Sequence, residues 1–162
     1  MSISRDLTQE FINYLTHERN YSDLTIKAYT DDIAHFTSFL SETGDNDLLK
    51  IELLDARVYL SHLTDEQYTR TSISRKISSL RAFYQYLMNH EFISENPFSY
   101  LHLKKSGLRL PNFFYSEEIE LLFEAASGNE LLDYRDKAIL EILYGTGIRV
   151  SECQSIRLED ID

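Results

Sequence analysis

Gly145, Thr146, Gly147, Ile148, Arg149, Val150, Ser151 and Glu152 follow one another in the last fifth of the chain. Their order predicts a turn that runs into a helix with an arginine at its entry. Glycine reaches backbone angles that other residues resist, so Gly145 and Gly147 let the chain pass close to an anion. Arg149 brings a planar guanidinium able to donate two parallel hydrogen bonds to a phosphate. The amino end of a helix adds partial positive charge at the same place. The chemistry on offer is phosphate binding, although the same residues taken alone also read as a loop between helices with an ordinary surface arginine.

A second group lies on a helix expected over about Thr71 to Asn89. Arg75, Ser78, Ala82 and Gln85 recur at helical spacing with Ser74, Lys76 and Arg81 beside them, which makes a small, polar and positively charged face. Such a face fits a DNA major groove, where basic side chains reach phosphates or guanine edges and small residues allow close approach. A solvated face is the plainer reading, and Arg81 has a third option, burial against an acid of the bundle. The five histidines, His17, His35, His62, His90 and His102, show no metal-ligand clustering. The single cysteine, Cys153, excludes an internal disulfide and a cysteine-rich metal site.

Helices must position these groups almost throughout. The first is expected from Ser4, as N-cap, to Glu18 with Leu7, Phe11, Ile12 and Leu15 on one face. Ser22 caps a second that carries Ile26, Tyr29, Ile33, Phe36 and Leu40 and ends at Gly44. A third, about Glu52 to Gln67, offers Leu53, Leu54, Val58, Tyr59 and Leu63. The fourth turns Ile73, Ile77, Leu80, Tyr84 and Leu87 inward. From Ser94 to Phe114 the chain reads as a linker: Pro97 and Pro111 break helices, Gly107 permits bending, and Lys104, Lys105 and Arg109 suit a DNA backbone. Ser116 is the expected N-cap of a further helix, with Glu118 and Glu120 in its first turns. Another covers about Leu132 to Tyr144, and Leu158 to Asp162 reads as the start of a strand.

Composition bounds the class. With 43% hydrophobic and 12% aromatic residues in 162, the chain can build one or two small cores. It holds no apolar run near membrane-span length and no secretory core at its N-terminus, which predicts a cytoplasmic protein. A net charge of −11 has the wrong sign for holding phosphates. The distribution offsets it: from Arg70 to Arg109 there are seven basic residues against two acidic, a local net of +5. Acid and base are segregated, as suits a protein that presents one face to DNA.

The stretch from Leu140 through GTGIRVSE to Ile156, Arg157, Leu158, Glu159, Asp160, Ile161 and Asp162 resembles the first catalytic-arginine motif of the tyrosine recombinases. Tyr21, Ser22, Thr25, Ala28, Tyr29, Asp32, Phe36 and Leu40 resemble the opening of that family's core-binding domain. Ser74, Arg75, Ser78, Leu80, Arg81, Phe83, Tyr84, Tyr86 and Leu87 resemble its later helix, and Glu95, Asn96 and Pro97 with Leu110 and Pro111 its interdomain connection. The short stretch before the first helix makes the Xer type the best match. The resemblance implies an all-α chain: a four-helix, SAM-like core-binding bundle over 1–95, a linker over 96–114, and the first helices of a catalytic domain over 115–162. It implies strand exchange through a 3′-phosphotyrosyl intermediate without metal or other cofactor. Arg149 would hold the scissile phosphate, with Glu152 orienting it, capping the backbone or simply solvated. Thr25, Lys27, Ser74, Arg75, Lys76, Arg81, Lys104 and Lys105 would contact DNA, with Thr30 a further candidate from the family's two crossed helices, and Cys153, where the family has an apolar residue, would be a small buried hydrophobe.

The partners so implied are double-stranded DNA bearing an inverted repeat and further recombinase protomers in a tetramer, the chain alone being monomeric. The family's lysine, His/Arg cluster and nucleophilic tyrosine match no residue here, none of the eleven tyrosines included. A fragment or natural truncation that does not cut DNA by itself is therefore expected. A DNA-binding protein without catalysis and an acidic helical protein-interaction domain are the alternatives.

Overall fold

The computed structural model describes residues 2–44, 47–103 and 112–160. The chain divides into two compact units, Met1–Gly107 and Leu108–Asp162. The described elements are helical throughout, as expected for all but the segment from Leu158.

The first unit contains α1 (Ser2–His17), α2 (Asp23–Thr43), α3 (Leu53–Asp65) and α4 (Arg70–Asn89). α1 begins at Ser2, so Ser4 lies inside the helix and is not its cap. Ser22 caps α2 as expected, with its Oγ accepting from the Thr25 N–H at 3.4 Å. Gly44 closes that helix at φ +89°, a left-handed angle glycine adopts without a Cβ penalty. α4 starts at Arg70, one residue before the expected Thr71, because Thr69 caps it and accepts from the Ser72 N–H at 3.2 Å.

These helices enclose one aromatic-rich core. Phe36 is fully buried, with ring centroids 4.8 Å from Tyr59 and 5.4 Å from Phe98, and Phe11 lies 5.2 Å from Phe83. Edge-to-face pairs of this kind add to the area they bury. On α3 the inward stripe is Ala56, Tyr59 and Leu63, whereas Leu54 and Val58 are 67% and 48% exposed. The expected placement of that pair in the core is corrected here: at 100° per residue they sit on the far side of the helix from Ala56.

The chain leaving α4 stays with the bundle. Asn96, Pro97, Phe98 and Leu101, expected within or beside a linker, are buried in the first unit. Arg81 explains the register, since its Nε and Nη2 donate to the carbonyls of Phe98 and Leu101, each at 3.1 Å. In return the Asn96 amide donates to the Arg81 carbonyl at 2.9 Å.

The second unit contains α5 (Ser116–Ala125), α6 (Leu131–Thr146), α7 (Val150–Ser155) and a 3-10 turn over Leu158–Asp160. Tyr115, not Ser116, is the N-cap of α5, and its N–H donates to Glu118 at 2.8 Å. The strand expected from Leu158 is replaced by the 3-10 turn, which Asp160 fastens by accepting from the Arg157 N–H at 2.9 Å. No residue of α5, α6 or α7 is buried.

Candidate functional site

On α2, Asp32 occupies the inner face one turn from Phe36, with no exposed surface. A carboxyl there requires donors, and α4 supplies three. Arg75 Nη1 donates to Asp32 Oδ2 at 2.5 Å, Ser79 Oγ to the same oxygen at 2.8 Å, and Lys76 Nζ to Oδ1 at 3.4 Å. Arg75 and Ser79 share a helix face one turn apart, and Lys76 flanks it. The Lys76 side chain is only 8% exposed, while that of Arg75 is 50% exposed.

Two expected DNA contacts are thereby corrected. Lys76 is a core cation, held by Asp32 and lying 5.2 Å from the centre of the Tyr68 ring. Arg81 is neither a groove-facing cation nor the partner of an acid; its guanidinium serves the two carbonyls of the exit segment. Positive charge counted along the sequence is in part consumed inside the fold. Arg75, Ser74 and Lys27 remain exposed, Thr25 is half-buried, and Thr30 Oγ1 is turned back to the Ile26 carbonyl at 2.9 Å. Lys104 and Lys105, with Arg109, lie outside the described residues.

Asp32 itself drew no role from spacing. The available signal was its phase: three residues after Tyr29 and four before Phe36, an acid standing in an apolar stripe marks a buried ion pair.

Next to this cluster His35 is held between two phenols, with Nδ1 2.8 Å from Tyr59 Oη and Nε2 3.3 Å from Tyr68 Oη. Burial first, then the nearby Lys76 cation, lower its pKa from the ordinary 6.5, against a smaller opposing effect of Glu66. The unfolded chain therefore takes up this proton at a higher pH than the folded one. The corresponding stability is complete above pH 6.5 and is lost as the pH falls through the lower, folded-state value. Denaturant midpoints of the chain and of His35→Gln, measured at about pH 7.5 and about pH 5.5, should show the larger acid loss in the unsubstituted protein. Equal losses would remove His35 as the cause.

In the second unit α6 ends at Thr146 and Gly147 takes φ +66°, its N–H closing on the Leu143 carbonyl at 3.0 Å. Gly145 lies within the helix and has no positive φ, so only Gly147 uses the conformational freedom expected of both. The turn delivers Arg149 to the N-cap of α7. Glu152, one turn on, accepts from the Arg149 N–H at 2.7 Å with one oxygen and from its Nη1 at 2.9 Å with the other. It thus caps the backbone and braces the guanidinium together. The Arg149 side chain is 82% exposed, which leaves most of its five donors turned to solvent. Asp136 pairs with Arg135 at 2.6 Å, and Cys153 is half-buried rather than buried.

Among the described residues, no group of three or more His, Cys, Asp or Glu side chains is arranged to hold a metal ion. Nor is any helix long and apolar enough to cross a membrane.

Residues 8–91 match the family described as "Phage integrase, N-terminal SAM-like domain", and residues 112–162 match "Phage integrase family". Tyrosine recombinase XerC of Listeria welshimeri serovar 6b is 52% identical over 157 residues, covering 96% of this chain and 52% of that protein. Tyrosine recombinase XerC of Pediococcus pentosaceus is 49% identical over 161 residues, 97% of this chain and 53% of that one. The chain thus spans about half the length of the curated relatives it matches. The Tn1549 transposon integrase, solved in complex with circular intermediate DNA, superposes with a TM-score of 0.69 at 19% identity. That match covers 96% of this chain and 50% of the integrase, and it speaks for the fold alone.

Proposed function

Since the chain belongs to the phage integrase family, the tyrosine recombinases, we propose that it is the DNA-binding half of a site-specific recombinase, carrying the first catalytic arginine. On this reading residues 1–95 form the core-binding domain, 96–114 the connection, though its first residues pack with the bundle, and 115–162 the opening of the catalytic domain. The reaction served is strand exchange at an inverted repeat, for chromosome dimer resolution or the movement of an element, by protomers assembled as a tetramer. A tyrosine oxygen attacks the scissile phosphorus, a 3′-phosphotyrosyl bond forms, and the 5′ oxygen leaves. No tyrosine of this chain is assigned as the nucleophile.

The observation that carries the reading is Arg149, an exposed guanidinium braced by Glu152 at a glycine turn. A phosphate gains charge on its non-bridging oxygens as it is attacked, and a pre-positioned planar donor stabilises that charge without reorganising. Glu152 supplies the positioning. In the first unit Ser74, Arg75, Thr25 and Lys27 are assigned to DNA, with Lys104 and Lys105 following the backbone.

The test is fluorescence anisotropy of the 162-residue chain against two duplexes. One is enriched from a randomised pool by repeated binding to the chain, and the other is its scrambled counterpart. Binding should weaken with salt, by roughly one power of salt concentration per phosphate neutralised, and should prefer the enriched duplex. A folded sample that binds neither duplex at low salt would overturn the reading in favour of a protein-interaction domain, which the net charge of −11 favours.

A further inference from the structure

Asp32 receives two cations where one would neutralise it. Lys76, nearly as deeply buried, already balances the carboxyl, and leaving a buried charge pair incomplete is what a core must avoid. Arg75 is not needed for that balance. Its aliphatic stem reaches in from the surface, Nη1 is taken by Asp32 at 2.5 Å, and half of the side chain remains open to water.

The open half has a defined chemistry. With Nη1 engaged, the edge formed by Nε and Nη2 keeps a parallel pair of N–H donors. Ser79 and Lys76 hold Asp32 in place, and Asp32 in turn anchors Nη1 and restrains the swing of the guanidinium. A phosphate contact needs no such bracing, since phosphates present acceptors in every direction and a swinging cation reaches them equally well. Two acceptors side by side on a flat edge do need it. In a DNA groove that pattern belongs to guanine, with O6 and N7.

We infer that Asp32 is a positioning residue and that the Arg75 it braces reads a guanine edge. This rests on the reading of the first unit as DNA-binding. Asp32 touches no DNA itself; it acts by restraining the guanidinium.

The experiment uses the full chain and the duplex enriched from the randomised pool, with each guanine replaced in turn by 7-deazaguanine, which lacks the N7 acceptor. At one position the chain should lose roughly tenfold in affinity. That loss should vanish in Arg75→Ala and shrink in Asp32→Asn, while Asp32→Asn binds the scrambled duplex more tightly because a negative charge is gone. A merely structural Asp32 would lower the melting temperature and leave the 7-deazaguanine response intact, which overturns the inference. So would tolerance of the modification at every guanine. Should Asp32→Asn fail to fold, Arg75→Met carries the test: it keeps the stem and lacks every donor, and a full 7-deazaguanine response in that variant is equally fatal. Failure of the unsubstituted chain to enrich any duplex is a different result, and it removes the DNA reading as a whole.

Discussion

Arg149→Lys is expected to slow strand cleavage by roughly 10²–10³ in a hybrid recombinase, the effect typical of losing one oxyanion-stabilising donor. The hybrid carries this chain in place of the matching 157 residues of the Listeria welshimeri relative. Lysine retains the charge and loses the geometry. Arg149 can give Nη1 to Glu152 and still offer other donors to a phosphate, whereas an ammonium held by Glu152 presents no second planar edge. Binding of duplex DNA, served chiefly by the first unit on the reading above, should change much less. Trapping the covalent complex on a nicked suicide duplex, alongside anisotropy on an intact one, separates the two quantities. Cleavage at the rate of the unsubstituted hybrid would exclude Arg149 from the reaction.

Lys76→Glu has the largest effect expected on stability. The sequence makes Lys76 equivalent to Arg75, a basic residue on a polar helix face, so that reversing its charge should simply weaken DNA binding. In the fold it would set a second carboxyl against Asp32 in a site that water barely reaches. Breaking a buried pair costs about 3–5 kcal/mol before any repulsion is added, against a typical total of roughly 5–15 kcal/mol for a domain. Denaturant unfolding without DNA should therefore find the first unit unfolded or nearly so. Arg75→Gln, half-exposed and dispensable for neutrality, should remain folded. Equal midpoints for the two variants would refute the placement of Lys76 in the core.

The contrast between those neighbours shows what a sequence can and cannot reveal here. Ser22 and Gly44 announced the ends of α2 because capping is local chemistry. The stripes of α1, α2 and α4 were legible because core faces repeat with the helix. Adjacent residues on a helix differ by 100°, so one of Arg75 and Lys76 had to turn further inward, and what draws it in is an acid 44 positions earlier. Arg81 poses the same difficulty, its partners being carbonyls 17 and 20 residues on. A strand was expected to start at Leu158, but a strand needs a ladder partner, and over Leu158–Asp160 the local bond from Arg157 N–H to Asp160 favours a turn. The Arg149 turn was readable as a motif; that Glu152 both caps the backbone and braces the guanidinium shows only in the fold.

The fastening of residues 96–101 to α4 also sets how the first unit bears a load. Phe98 is wedged beside Phe36 and Tyr84, and Arg81 grips the carbonyls on either side of the Phe98–Leu101 step. A pull on the chain beyond Leu101 does not peel α4 from its C-terminal end, one turn at a time. It arrives at the middle of the helix and at the aromatic core together, so the bundle must yield in shear, with many contacts failing at once. Tension arriving from beyond Leu101 would meet a stiff anchor instead of an unravelling thread.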